Sequence, residues 1–385
     1  MIDAPSLLER TLAIPCWRTP DNPDVESGVS AFFSDVIQRE LPWLKVNQQH
    51  VDGNRFNIFA TDGSPMEMLF VGHLDCVPPG TGWEYRVTGE MDGGRCYGRG
   101  AYDVKGGIVA LLAAAARMGA TRGVGYLLYC DEEYDFHGMR RFLAIERSRA
   151  KPKLAIAIEP TNLRVRSGCR GITEFTAIVR GKCGHAARPW TGQSALKAFL
   201  HGVRRMDEFT EQHTDPTLGR TTRNIASLRA GQFRGLDGEY AILAEDGNII
   251  PDYARGIIEI RTVPSMHAEH CIDAFRRGVE EAGCHVERVV KRFDFRGFQT
   301  AHEALKPLTD AVHATLGSVE FEDIGASGYS DVQLLSSQLG VPCAIIGPTG
   351  DNMHAADEFV ELDSLRQLQE IFERTLVPYR LPAAP

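Results

Sequence analysis

Residues 66–75 read MEMLFVGHLD, an apolar run that ends on a polar His-x-Asp. A short apolar stretch without alternation reads as a strand buried on both faces, as in parallel sheets. Further along, KGGIVALLAAAARM (105–118) is rich in alanine and leucine and reads as a helix. GYLLYC (125–130), LAIAI (154–158) and VPCAII (341–346) are further strand-length runs, and another helix is expected from about Leu362. Strands alternating with helices in this way predict an open α/β sheet flanked by helices.

Between residues 172 and 286 the texture changes. ITEFTAIVR (172–180) alternates like a half-exposed strand, as do Thr222 to Arg229 and RGIIEIRT (255–262). Helical stretches from Ser194 to Phe209 and from His267 to Ala282 lie between them. That is an α+β pattern set inside the first. The expected division is therefore 1–171 with 287–385 as one domain and 172–286 as an inserted one.

The chain's length suits two domains. Hydrophobic residues make up 43% and charged ones 24%, the ordinary globular range. A net charge of −9 argues against a nucleic-acid partner, which needs a basic face. No apolar run approaches the roughly 18 residues that would span a bilayer. The start, MIDAPSLLERTLAIPCW, lacks the basic beginning and long apolar centre of a signal peptide, so a cytoplasmic chain is expected. Nine cysteines, an odd number without a C-x-x-C pair, sit mostly in apolar runs and predict reduced, buried thiols. A metal bound here would have to use histidine and carboxylate.

Five polar features stand where strands end or helices begin. His73 and Asp75 close the first run, and Asp103 precedes the alanine-rich helix. Glu132 and Glu133 follow GYLLYC, Glu159 follows LAIAI, and His354 lies in the glycine-rich loop after VPCAII. Each has an ordinary structural reading: His73 a hydrogen-bonded histidine, Asp103 a helix N-cap, Glu132–Glu133 a helix-start pair, Glu159 a strand terminus. Ligands of open α/β sheets, however, bind beyond the carboxyl ends of the parallel strands. If these runs are parallel neighbours, all of these side chains meet on one rim. Two histidines with several carboxylates are a ligand set for zinc or cobalt, and one carboxylate can bridge two ions about 3.5–4 Å apart.

GHLDCVPPGTGWEY, YGRGAYDVKGG, DEE, EPT, GHAARP with GQSA, GNIIPD, SGYSD and GPTGDNMHAADEFV follow one another from residue 72 to 360. In this order they resemble the M20 metallopeptidases, the group of acetylornithine deacetylase, succinyl-diaminopimelate desuccinylase, aminoacylase and glutamate carboxypeptidase. The resemblance implies a zinc-peptidase fold with a ferredoxin-like inserted lid and dimerisation domain, and two Zn2+ ions, with Co2+ or Mn2+ as substitutes. By position it implies that His73 and Glu159 complete one ion and Glu133 and His354 the other, with Asp103 bridging them. Asp75 would orient His73, and Glu132 would be the general base on the metal-bridging water. His185, in the inserted domain, would stabilise the oxyanion in the partner's site of a homodimer. Asn224 and Arg261 would hold the substrate carboxylate, for which a guanidinium fork is suited. Two segments depart from the family pattern: EYRVTGE after Trp83, and YDFHG after the paired glutamates, where Phe136 and His137 are expected to shape the pocket.

The expected substrate is a small N-acyl amino acid, of the acetylornithine or acetylcitrulline type. Glu159, rather than aspartate, resembles the acylase and carboxypeptidase branches. A dipeptidase or carboxypeptidase acting on short peptides is the alternative. A non-catalytic binding protein on the same fold is a remote one, because no ligand or base has been lost. A phosphate-dependent α/β enzyme lacks support, since neither G-x-G-x-x-G nor GKS/GKT occurs.

Overall fold

The computed structural model describes residues 2–19, 26–238, 240–244, 246–325, 328–330 and 332–382. Ser327 and Asp331 of the SGYSD segment lie outside the described residues. The chain forms two compact units: Met1–Gly168 with Gln299–Glu322 and Ser330–Pro385, and Cys169–Phe298 with Asp323–Tyr329.

The first unit is built on a six-stranded mixed sheet. From one edge its strands are Lys45–Asp52, Arg55–Thr61, Val124–Tyr129, Met68–His73, Leu154–Ala157 and Cys343–Ile345. The last four run parallel to one another, with His73 opposite Tyr129 and Val71 opposite Ala157. Every residue of Met68–His73 and Val124–Tyr129 is buried, which is why their sequences are continuously apolar. The helix Gly106–Met118 is buried almost all round. It packs against the helices Ala4–Leu12 and Leu362–Leu376. A helix without a polar face belongs in a core, and alanines let its neighbours approach closely. A small second sheet joins Gly350–Asp351, Phe359–Glu361, Arg95–Tyr97 and Glu90–Asp92, pairing Phe359 with Tyr97. That pairing ties the loop before Asp103 to the loop that carries His354.

The second unit has a five-stranded antiparallel sheet in the order Tyr240–Ala244, Thr222–Asp237, Tyr253–Thr262, Gly171–Arg180, His285–Phe295. Helices Ala195–Thr210 and Ala268–Glu281 pack together, and Phe199 and Phe275 share a core with Phe175, Ile258 and Ile260 of the sheet. Leaving aside the edge strand Tyr240–Ala244, the order is βαββαβ, the ferredoxin-like arrangement. This moves the expected boundary at 286/287. His285–Phe295 lies against Gly171–Arg180, because the closing strand of such a unit returns beside the first. Among the described residues, no helix is long and apolar enough to cross a membrane.

Glycine is required where the buried helix crosses the sheet: a Cβ on Gly107 would come within 2.1 Å of Ile158 Cγ2. Gly107→Ala should therefore lower stability by about 1–3 kcal/mol through overpacking. Gly247→Ala, with nothing within 4 Å of the added carbon, should stay within about 0.5 kcal/mol of the parent. Denaturant unfolding of the two variants checks this, and equal midpoints would contradict the close approach.

Candidate metal centre

The four parallel strands deliver their carboxyl ends to one rim. His73 is the last residue of its strand, Glu159 follows Leu154–Ala157, and the turn Asp131–Glu133 follows Val124–Tyr129. Asp103 stands in the irregular turn Ala101–Lys105 ahead of the buried helix. It is not the helix N-cap, a position taken by Lys105.

The central element is the Asp103 carboxylate. Its Oδ1 lies 3.2 Å from His73 Nε2, and its Oδ2 lies 3.0 Å from His354 Nε2. His354 Nε2 is also 3.1 Å from Glu133 Oε1. Glu159 Oε2 is 4.0 Å from His73 Nε2, and its Oε1 accepts a hydrogen bond from Ser330 Oγ at 3.4 Å. One ligand atom from each of His73, Asp103 and Glu133 lies within 4.8 Å of the other two. All five expected ligands thus lie in one connected cluster.

Asp75 is buried beside them. His73 Nδ1 lies 3.1 Å from its backbone oxygen and 3.7 Å from Oδ1. Its two carboxylate oxygens accept the N–H groups of Glu132 and Glu133 at 3.0 and 2.9 Å. The paired glutamates are therefore not a helix start. They form a turn pinned by Asp75, and the next helix begins at His137. Asp131, in left-handed conformation with φ 74°, is paired with Arg18 and with Arg55, whose Nη1 lies 3.2 Å from both Asp131 and Glu26. Burial, with the neighbouring Asp75 charge, pushes Glu26 up to about 9. Phe136 is buried in this region, and His137 donates its N–H to Asp131 at 2.9 Å. The YDFHG departure is thus taken up partly by packing around Asp131.

Protonation reflects the crowding of carboxylates. Burial opposes charge on His73, but its hydrogen bonds to Asp103 and Asp75 hold its pKa well above the ordinary value. Hydrogen bonds to Asp103 and Glu133 raise His354 to about 10. Burial would lift Asp103, yet the hydrogen bonds from His354 and His73 bring it below the usual carboxylate range. Burial raises Glu133. The cluster therefore attracts positive charge to its centre, and the atoms that share protons are those a divalent cation would take. Imidazole nitrogens with carboxylate oxygens suit zinc, cobalt and manganese, so the residues present fit such ions.

Glu358, which the sequence does not single out, holds the turn in place. Its fully buried carboxylate accepts the N–H groups of Gly100, Tyr102 and Asp103 at 3.0–3.1 Å and pairs with Arg99. The one signal available was an acid four residues after His354, just ahead of an apolar pair.

In the second unit, Asn224 is opposite Glu259 and Thr222 opposite Arg261, so Asn224, Glu259 and Arg261 share a sheet face. It is the face away from the helices, since Ile258 and Ile260 belong to the helix-packed core. Arg261 Nε donates to Glu259 at 2.8 Å, and its guanidinium lies over Tyr329. His185 is exposed, and its Nδ1 accepts the N–H of Ala187 at 3.1 Å.

Mixed-sheet topology with clustered histidines and carboxylates on its parallel rim defines a metal-ligand type of site on an α/β scaffold. The family model of peptidase family M20/M25/M40 matches residues 69–377, and the chain belongs to that family. It is similar to a succinyl-diaminopimelate desuccinylase of Acidiphilium cryptum, 29% identical over 375 residues that cover 93% of this chain and 94% of the relative. An M20-family metallo-carboxypeptidase from Sulfolobus solfataricus shares the fold with a TM-score of 0.73, at 15% identity over 98% of this chain and 99% of the other. A Bacillus subtilis protein described as a dinuclear metal binding peptidase of the M20 family does so with a TM-score of 0.68, at 14% identity over 97% of each chain. The chain is accordingly an enzyme of the M20 peptidase and amidohydrolase family.

Glu358→Ala would leave Arg99 Nη1 and three backbone donors without their acceptor and the buried guanidinium without its counter-charge, and should cost about 3–5 kcal/mol of stability. Glu358→Gln, which keeps one acceptor oxygen, should cost less. Thermal unfolding of both variants measures the difference, and two equally small shifts would refute the anchoring role.

Proposed function

We propose that the protein hydrolyses the amide bond of an N-acyl amino acid with the help of two metal ions. The observation that carries this reading is the posture of Asp103, which offers one oxygen toward each of two histidines. His73 and Glu159 would hold one ion and Glu133 and His354 the other, with Asp103 shared between them. When bound, the ions supply a water acidified to a pKa of about 7 and polarise the scissile carbonyl. Asp75 keeps the His73 ring oriented. Glu132, anchored through its own N–H on Asp75, takes the proton of the attacking water and delivers it to the leaving amine. A base bound to metal would lose basicity, so adjacent Glu132 and Glu133 divide the two roles.

Relatives named as desuccinylases support an acyl amino acid as substrate, with succinyl beside the acetyl group that the sequence suggests. Short peptides are the second reading, favoured by the likeness to a carboxypeptidase of the same fold. In either case Asn224 and Arg261 would hold the substrate carboxylate. Arg261 already uses Nε on Glu259, so its Nη groups are the part of the fork that would do so.

Chelation should abolish hydrolysis, and zinc, cobalt or manganese should restore it, in a screen of N-succinyl, N-acetyl and dipeptide substrates. Glu132→Gln should lose turnover by about 10²–10⁴-fold or more with metal retained, whereas Glu133→Gln should lose metal. Full activity in chelator would overturn the reading, and the opposite pattern in the two variants would exchange their roles.

The oxyanion stabiliser in this proposal is the partner subunit's His185, in a homodimer formed through the second unit. Because Nδ1 accepts from Ala187, a neutral ring carries its proton on Nε2 and presents the donor that a developing oxyanion requires. His185→Ala should lower turnover by roughly 10²–10³-fold. Mixing His185→Ala with Glu132→Gln chains should restore one working site per mixed dimer. Subunit exchange without recovered activity would place His185 outside this role.

A further inference from the structure

A second reactive cluster lies in the first unit, beside the metal centre. Cys16 and Cys76 stand 60 positions apart in the chain, yet their sulfurs are 2.8 Å from each other, and both are buried. The side chain of Lys105, also buried, places Nζ 2.8 Å from Cys76 Sγ and in contact with Cys16 Sγ. Among the described residues, these two sulfurs are the hydrogen-bond partners of that amine. The backbone brings them together as well: Trp17 bridges to Cys76, and the Cys76 N–H donates to the Cys16 oxygen at 3.2 Å. Gly100 leaves the room they need, since a Cβ there would meet Cys76 Sγ and Lys105 Nζ at 2.6 Å each. Cys76 follows Asp75 directly, and Lys105 closes the turn that contains Asp103.

We propose that Cys16 and Cys76 are a peroxide-sensitive couple whose closure to a disulfide removes the acceptors of Lys105 and loosens the turn that carries Asp103. A disulfide bond is about 2.05 Å long, so closing it from this geometry needs less than about 1 Å of movement. Burial alone would raise Cys16, but its hydrogen bond with Cys76 and the Lys105 charge bring its thiol down to about 7, while burial drives Cys76 well up. Cys16 is therefore the attacking sulfur. It displaces hydroxide from a peroxide: the O–O bond breaks, Cys16 is oxidised to a sulfenic acid, and the hydroxide becomes water with a proton from solvent. Cys76 then attacks the sulfenic sulfur. The S–S bond forms, the S–O bond breaks, and the hydroxyl leaves as water with the Cys76 proton. Two thiols and one peroxide become one disulfide and two waters.

Neutral disulfide sulfur is a poor acceptor, and a buried amine that loses its acceptors is costly to keep in place. Closure therefore pulls Lys105 away from the position that holds the Ala101–Lys105 turn against the loop after His73. Any loss of hydrolysis that follows rests on the function proposed above, whereas the couple itself does not.

The test exposes metal-supplemented protein to hydrogen peroxide, alkylates it under denaturing conditions and maps the peptides by mass. Cys183, the half-buried cysteine, serves as the internal comparison. The expected result is loss of two of the nine alkylatable thiols in a Cys16–Cys76 cross-link, reversed by dithiothreitol. Backbone amide exchange across residues 98–107 should be faster in the oxidised protein and return on reduction. Cys16→Ser should show no peroxide-dependent change in that exchange. Cys16 and Cys76 both remaining alkylatable while Cys183 is oxidised would overturn the couple. A bridge between Lys105 and one sulfur through oxygen, seen as one added oxygen and two lost hydrogens, would overturn it too. A disulfide that leaves the exchange of residues 98–107 unchanged would overturn its effect on the turn. Exchange is read without substrate, so failure of the proposed hydrolysis remains a separate result.

Discussion

One buried carboxylate, shared by two histidines from distant parts of the chain, sets the terms for the rest of the first unit. A carboxylate as enclosed as Asp103 would be expensive to charge without compensating partners. His73 and His354 compensate it through one oxygen each. Such a bond is directional, so both rings and the Asp103 backbone must be held within a narrow geometry. Glu358 meets that demand from the loop that carries His354, by accepting the N–H groups of the Asp103 turn. The short strands around Tyr97 and Phe359 fasten the same two loops a second time. The structure therefore spends buried charge in order to fix positions, a trade that lowers stability whenever one partner is removed.

The parallel rim supplies the remaining donors by topology. Because the strands ending at His73, Tyr129 and Ala157 are neighbours running the same way, whatever follows them is gathered at one end. Asp75 turns that gathering into a defined arrangement. It contacts the His73 ring on one side and holds the backbone of Glu132 and Glu133 on the other. Behind the rim, Arg18 and Arg55 pair with Asp131 and hydrogen-bond Glu26, whose raised pKa keeps it protonated, so several acids stand close together without all being charged. The thiol couple with Lys105 is a third charged group in this dry region, and it touches the same turn as Glu358 does.

The second unit follows simpler physics. Its sheet buries one face under two helices and leaves the other polar, so the strand sequences alternate. Asn224, Glu259 and Arg261 fall on the polar face by register alone. The edge strand Tyr240–Ala244 and the closing strand His285–Phe295 are more exposed and alternate less regularly, and neither stands out in the sequence.

The buried strands, the alanine-rich helix and the inserted α+β segment were legible from the chain itself, because apolar runs and their period are local properties that burial imposes on local sequence. The grouping of His73, Asp103, Glu133, Glu159 and His354 could be anticipated too, since His73 ends one such run, Glu133 and Glu159 closely follow two others, and the motifs occur in a recognisable order. What depended on tertiary structure was pairing between distant positions. Glu358 at the Asp103 turn, Arg18 and Arg55 at Asp131, and Cys16 against Cys76 are contacts between segments with no common pattern in sequence. That the main segment of the second unit runs on to Phe298, and does not stop near residue 286, was likewise settled by a strand returning to its partner. Hydrogen bonds and ion pairs form between atoms that the fold brings close, and separation along the chain carries no record of that distance.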